Sequence, residues 1–103
     1  TLLLERYPIV LTPFLPRPTY AWNRDAEGKD GVMDVLGCGI WSFAINYLGL
    51  PAGIISSGMH DGMPVAVQIV GRRFREDLIL NALEAIEARV GVMAKRLFER
   101  ERQ

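Results

Sequence analysis

Ser56-Ser57-Gly58, the pair His60-Asp61, the lone Cys38 and Gln68 are the residues of this sequence whose types could do chemistry. A serine or cysteine attacks an acyl carbon only when a nearby base takes its proton. Ser56 and Ser57 have no lysine or histidine partner at a plausible distance along the chain, and the Gly-x-Ser-x-Gly elbow is not formed. His60 beside Asp61 has the composition of a general base, but a histidine next to an Asp-Gly turn reads first as a solvated side chain. Cys38 has no His/Asp pair around it and reads as a small buried hydrophobe. No catalytic residue is assigned from these groups.

Gln68 is different, because it is one polar residue inside the β-branched run Val65 to Val70. A buried primary amide needs partners for its donors and acceptors, so Gln68 should bond neighbouring backbone or orient a nearby loop. The run reads as a strand with Pro64 at its first position. Before it, Ala52 to Ile55 reads as a strand covered on both faces, entered through the breakers Gly49 and Pro51. Ser56 to Gly62 reads as the connection, with Asp61-Gly62 as its turn dipeptide.

Around that centre the chain supplies further elements. Thr1 to Arg6 reads as a helix end stopped by Tyr7-Pro8, and Ile9 to Leu11 as a brief strand closed by Thr12-Pro13, leading into a loop with Pro16 and Pro18. Residues 17–31 read as a polar surface loop whose Tyr20 and Trp22 cover a core or clamp a ligand. Val32, Leu36, Ile40, Phe43 and Tyr47 step by four or three, which predicts a helix over about 40–48 after a looser turn weakened by Gly37 and Gly39. Asn46 should tie the following turn through its amide. Ile79, Leu83, Ile86, Val90, Met93 and Leu97 predict a second amphipathic helix over about 76–98, with a break at Gly91 and carboxylates Glu76 and Asp77 in its first turn. The charged end RLFERERQ should fray.

Composition narrows the function classes. Twelve Lys and Arg balance twelve Asp and Glu, so there is no field to attract nucleic acid or an anionic membrane. One cysteine and one histidine give neither an internal disulfide nor a metal motif, and no cofactor is expected. No apolar run approaches the roughly 20 residues of a bilayer span, and a cytoplasmic protein is the expectation. Half of the residues are hydrophobic before glycine is counted, more than a stand-alone domain of 103 residues easily hides. Missing neighbours would explain the surplus, and Thr1 in place of an initiator methionine reads as a start partway through a longer polypeptide or as the result of processing or of how the chain was prepared.

The order Asn46, Gly49-Leu50-Pro51-Ala52, Gly58, Gly62-Met63-Pro64-Val65, Gln68 and Gly71, then Arg73-Phe74 and Glu76-Asp77 opening a helix, resembles the C-terminal end of the amidase-signature hydrolases. The resemblance covers about residues 8–90, with 91–103 as a charged helical tail, the whole being a C-terminal segment of an amidase domain. It departs from the family at Ser56, which stands where a Val-Pro-x-Gly step would place proline. The resemblance implies an α/β fold, three short strands joined to a larger mixed sheet and flanked by helices, incomplete as a stand-alone domain. It implies cleavage of a carbon–nitrogen amide bond by a lysine and two serines in a Gly/Ser-rich signature, and that signature is absent from these residues. It further implies that the helix before Asn46 walls the acyl pocket. The positions ten, seven and three before Asn46 are Leu36, Gly39 and Phe43, which one helical face could present together. Thr12, at a strand end near the family's catalytic centre, joins them as a substrate-binding candidate, although a threonine there also reads as a hydroxyl satisfying backbone. The glutamine-dependent tRNA amidotransferase branch carries an acidic residue where Gly39 stands, which argues against glutamine, while the apolar pair Leu36 and Phe43, with Pro51-Ala52-Gly53 and the run Pro64 to Gln68, resembles what stands beside an aryl or acyl chain in related hydrolases. The expected partners are the N-terminal part of the same amidase or another copy of this chain, with a small amide as substrate. The alternative reading is a non-catalytic remnant or split-gene module that associates through exposed sheet edge and apolar surface.

Overall fold

The computed structural model describes residues 2–17 and 20–103, so the expectations placed on Thr1 and Pro18 lie outside the described residues. Its helices are α1 (Leu2–Arg6), α2 (Gly28–Cys38), α3 (Ile40–Leu48), α4 (Glu76–Val90) and α5 (Met93–Glu101), and its strands are β1 (Ile9–Pro13), β2 (Ala52–His60) and β3 (Met63–Gly71). A single 3-10 turn, Arg24–Ala26, precedes α2. The strands form one sheet in the order β1-β3-β2, with both pairings antiparallel. The chain is thus α/β as expected, and within these residues the sheet is antiparallel rather than mixed.

β3 lies in the middle because its β-branched run can be covered on both faces, and Gln68, Ile69, Val70 and Gly71 are all buried. β2 is longer than its sequence suggested. Ser56 to His60 are not a connection but continue the strand, pairing onto Ala66, Val65, Pro64 and Met63 across a register shift between Ser56 and Gly58. The shift leaves Ser57 as the extra residue of a bulge, which lets a Ser- and Gly-rich segment stay in a ladder. The remaining turn is Asp61-Gly62, both with positive φ (50° and 77°), as a tight two-residue hairpin requires. β2 buries no residue completely, so the expectation of cover on both faces does not hold for it.

Side chains of paired residues share a face. Leu11, Ile69 and Gly53 face one way, and Thr12, Gln68 and Ile54 the other. The first face receives α4. A Cβ placed at Gly53 would lie 2.7 Å from Leu83 Cδ1 and 2.8 Å from Ile79 Cγ2, so the helix approaches as closely as it does because residue 53 has no side chain. Ile79 and Met93 of the expected stripe are buried, and Leu83, Ile86, Val90 and Leu97 half-buried. Gly91 (φ 85°) breaks the stripe into α4 and α5. The charged tail is helical through Glu101: α5 packs along β2, and Arg100 Nη1 donates to the Gly62 carbonyl at 2.7 Å. At the start of α4, Arg75 donates to both oxygens of Asp77, at 3.0 and 3.2 Å, and these bonds hold the Asp77 carboxyl below the usual aspartate range.

The other face of the sheet carries α3, and α2 precedes it. Here the sequence reading needs two corrections. Residues 28–31 belong to a helix instead of a loop, and 32–38 form full helical turns instead of a loose one. The start of α2 is fixed by charge: Asp34 accepts Arg24 Nε at 3.1 Å and is also paired with Arg17, while Arg24 Nη1 reaches Glu27 at 2.7 Å. Gly31 lies directly on the Arg24 carbonyl, where no Cβ fits. Among the described residues no single helix is long and apolar enough to cross a bilayer, and α2 and α3 meet that length only as a pair bent by 59°.

Two outcomes follow for the sheet and for α4. Gly53→Val should cost about 1–3 kcal/mol through overpacking against Ile79 and Leu83, whereas Gly58→Ala, whose new Cβ would meet nothing nearer than 3.9 Å, should stay near wild type in the same denaturant titration. The Asp77 contribution is present above the ordinary aspartate value of about 3.9 and is lost as pH falls through its lower folded value. Asp77→Asn should therefore flatten the acid limb of the stability curve below about pH 4; an unchanged limb would show that the Arg75 pair contributes nothing measurable.

Candidate functional site

Gln68 is 3% exposed and is the one polar or charged residue fully buried among the described residues. Its Nε2 donates to Thr12 Oγ1 at 3.1 Å and to the Trp41 carbonyl at 3.2 Å. A carbonyl can only accept, so the amide nitrogen must be the atom that faces it. Thr12 Oγ1 in turn donates to the Pro13 carbonyl at 3.0 Å. Every proton in the chain Gln68 to Thr12 to Pro13 therefore has an assigned direction, and β1, β3 and α3 meet at one amide. The expectation that Gln68 bonds neighbouring backbone is met, across the fold rather than along the strand.

α3 ends as a helix should before a turn, with Gly49 in the left-handed region (φ 67°) and its N–H on the Asn46 carbonyl at 3.2 Å. Asn46 thus ties the turn through its backbone and not through its amide. The Leu48 carbonyl, left over at this end, accepts Arg73 Nη2 at 2.6 Å. A helix C-terminus calls for a cation, but which arginine answers is set by the hairpin's return and is not readable from spacing. The Arg73 contact and the Trp41 carbonyl are the parts of the site that the sequence left unseen.

Of the four candidate residues, Gly39 and Phe43 are brought together. A Cβ at Gly39 would lie 2.6 Å from Phe43 Cζ and 2.8 Å from Cε1, so the ring rests on the glycine backbone. Ser42 Oγ donates to the Gly39 carbonyl at 3.0 Å, which closes the first turn of α3. The continuous helical face expected for Leu36, Gly39 and Phe43 is broken, because α2 and α3 meet at 59° at Gly39. Leu36 sits on the last turn of α2, half exposed. Thr12 is on the Gln68 face of the sheet, with its hydroxyl engaged as described, which is the backbone-satisfying role.

A cleft of about 740 Å³ opens further along the same sheet face, lined by Phe14, Leu15, Ile54, Met59, Pro64 and Ala66 among others, and it includes none of the four candidates. His60 Nε2 lies 3.4 Å from Asp61 Oδ2, both side chains well exposed at the hairpin end. Ser56 and Ser57 are held in the β2 ladder and its bulge, and Cys38 is buried at the end of α2. No three His, Cys, Asp or Glu side chains gather as metal ligands among the described residues. What these residues can do chemically is hold an apolar wall against a sheet; a nucleophile and its base are not assembled by them.

No family model matches the chain. Two indoleacetamide hydrolases, of Bradyrhizobium japonicum and Bradyrhizobium diazoefficiens, are each 43% identical to it over 99 residues, 95% of this chain and 21% and 19% of theirs. A glutamyl-tRNA(Gln) amidotransferase polypeptide of Lactococcus lactis subsp. cremoris is 34% identical over 86 residues, 84% of this chain and 17% of that polypeptide. The chain spans about a fifth of the length of the curated relatives it matches. Near-complete alignment of this chain to both kinds of amide-processing protein, together with the block from Asn46 to Gly71 folded as helix cap and hairpin, shows that the chain belongs to the amidase-signature family and corresponds to its C-terminal portion.

Proposed function

We propose that this chain is the C-terminal part of an amidase that hydrolyses the carbon–nitrogen bond of a small amide, and that it supplies a pocket wall and sheet strands. The Ser-Ser-Lys centre is then carried by an N-terminal part of the same enzyme, where the first serine attacks the amide carbonyl, the amine leaves, and water releases the acyl group. This is the chemistry that the resemblance implies; no residue of this chain takes a step in it. The surface supports such a partner: 7633 Å² is exposed, against roughly 5,800 Å² for a compact monomer of this mass. The excess is about the size of one large interface, and Ile40, Trp41, Phe43 and Tyr47 are among the large apolar side chains left exposed. A cytoplasmic enzyme needing no cofactor is part of the same reading.

The observation that carries the substrate class is the Phe43 ring on Gly39. An aromatic wall over a bare backbone accepts an aryl or acyl chain, and an acidic side chain of the kind by which the tRNA-amidotransferase branch grips glutamine could stand at residue 39 only by displacing the ring. The 43% identity to indoleacetamide hydrolases supports an arylacetamide over an amino-acid amide. In this reading Leu36, on the last turn of α2, and Thr12, which accepts from Gln68 on the sheet, are the further candidates beside the wall.

The test is ammonia release by the polypeptide that carries these residues, offered indoleacetamide, phenylacetamide and glutamine. The arylacetamides should be hydrolysed in preference to glutamine. Gly39→Asp should lower kcat/KM for arylacetamides by roughly tenfold or more, since the new side chain must displace Phe43. Silence on every amide would discard the amidase reading, and an unaltered rate in the variant would remove Gly39 from the pocket.

A further inference from the structure

We propose that Gln68 and Arg73 form a two-point clamp that positions α3, and through it the Gly39–Phe43 wall, making both of them positioning residues for acyl recognition; this rests on the amidase reading above. α3 buries no residue completely, so packing within these residues does not fix its place. Its side-chain tethers to the sheet layer are polar and sit one at each end: Gln68 on the Trp41 carbonyl in the first turn, and Arg73 on the Leu48 carbonyl in the last. Two fixed points about 10 Å apart along a helix set its tilt as well as its distance. The inner point is the stiffer one. Gln68 belongs to the central strand, is held by ladders on both sides, and has its amide orientation fixed by Thr12. Trp41 stands midway between Gly39 and Phe43 in sequence, so a shift at this carbonyl moves the glycine and the ring together.

Methionine nearly matches glutamine in length but donates no hydrogen bond, so Gln68→Met releases the inner point with little change of volume. In the polypeptide carrying this chain, amide exchange in the peptide covering 40–48 should rise about tenfold in Gln68→Met, while the β2–β3 hairpin keeps its protection. Arg73→Met, a change at an exposed side chain, should raise exchange at the same peptide less. The ratio of kcat/KM for phenylacetamide over acetamide should fall about tenfold in Gln68→Met, mostly through KM. Gly53→Val serves as the control, because it loosens the opposite face of the sheet and should leave that ratio alone. Exchange at 40–48 unchanged in both methionine variants would overturn the clamp. A ratio within twofold of wild type, or an equal fall in Gly53→Val, would leave Gln68 a stabilising residue only and overturn its role in recognition. Should Gln68→Met not fold, Arg73→Met decides both points by the same measurements. Wild-type silence on amides would sink the amidase reading and the recognition role with it, while exchange alone would still judge the clamp.

Discussion

A primary amide buried in the middle strand is the constraint around which this fragment is arranged. Left without partners, the Gln68 amide would cost about 1–3 kcal/mol, comparable with a sizeable part of a small domain's stability. Its two donors are satisfied by a strand on one side and a helix on the other. An apolar residue at 68 would pack against many arrangements of α3, whereas the amide accepts only the one that places the Trp41 carbonyl 3.2 Å away. The interaction therefore specifies geometry more than it adds stability. It also explains why β1, a strand of only five residues at the sheet edge, is held in register there: Thr12 pairs with Gln68 in the ladder and bonds its side chain as well.

The two faces of the sheet are finished differently. On the α4 side, Gly53 and Gly71 let Ile79 approach closely, and Ile69 is fully buried between strand and helix. On the Gln68 side the apolar residues of α2 and α3 stay in contact with solvent, Tyr47 at 91% and Phe43 at 54% exposed. The chain measures 42 × 38 × 16 Å, a slab about one and a half layers thick where a rounded domain would need more. The apolar surplus visible in the composition is therefore left on the surface, with its densest run on α2 and α3 and further exposed side chains at Leu2, Leu11, Trp22, Phe74 and Phe98.

How much of this could be read from residues alone depended on whether a local pattern decided the structure. Val65 to Val70 and the stripe from Ile79 to Leu97 were legible because period and residue type agree with what those segments became. Ser56 to His60 were not, since serine and glycine weaken a strand and only the partner ladder of β3 retains them. The polar run 17–31 likewise read as a loop, yet it holds the start of α2, where Asp34 gathers two arginines from outside the helix. Within the candidate site, the need of Gln68 for partners was evident from its neighbours. The identity of those partners was not, because they lie 27 and 56 residues away and are chosen by topology.

The break at Gly39 sets what the proposed wall can contain. A continuous helix would have presented residues 36, 39 and 43 in a row, and any side chain at 39 would have pointed between the other two. With α2 and α3 bent by 59°, residue 39 becomes a corner, and the phenylalanine one turn later folds back over it. If this corner is the pocket wall proposed above, it has two exclusive states. Either the corner is bare and an aromatic ring closes over it, which suits an apolar acyl chain, or the corner carries a side chain and the ring must be elsewhere. A carboxylate added to this chain at residue 39 must displace the Phe43 ring, and the displaced ring stays one turn away on α3, so in the proposed pocket one substitution alone would not convert one specificity into the other. On the proposed reading, exchange of specificity would require residues 39 and 43 to change together, with the Gln68 and Arg73 contacts left intact to keep the new corner in place.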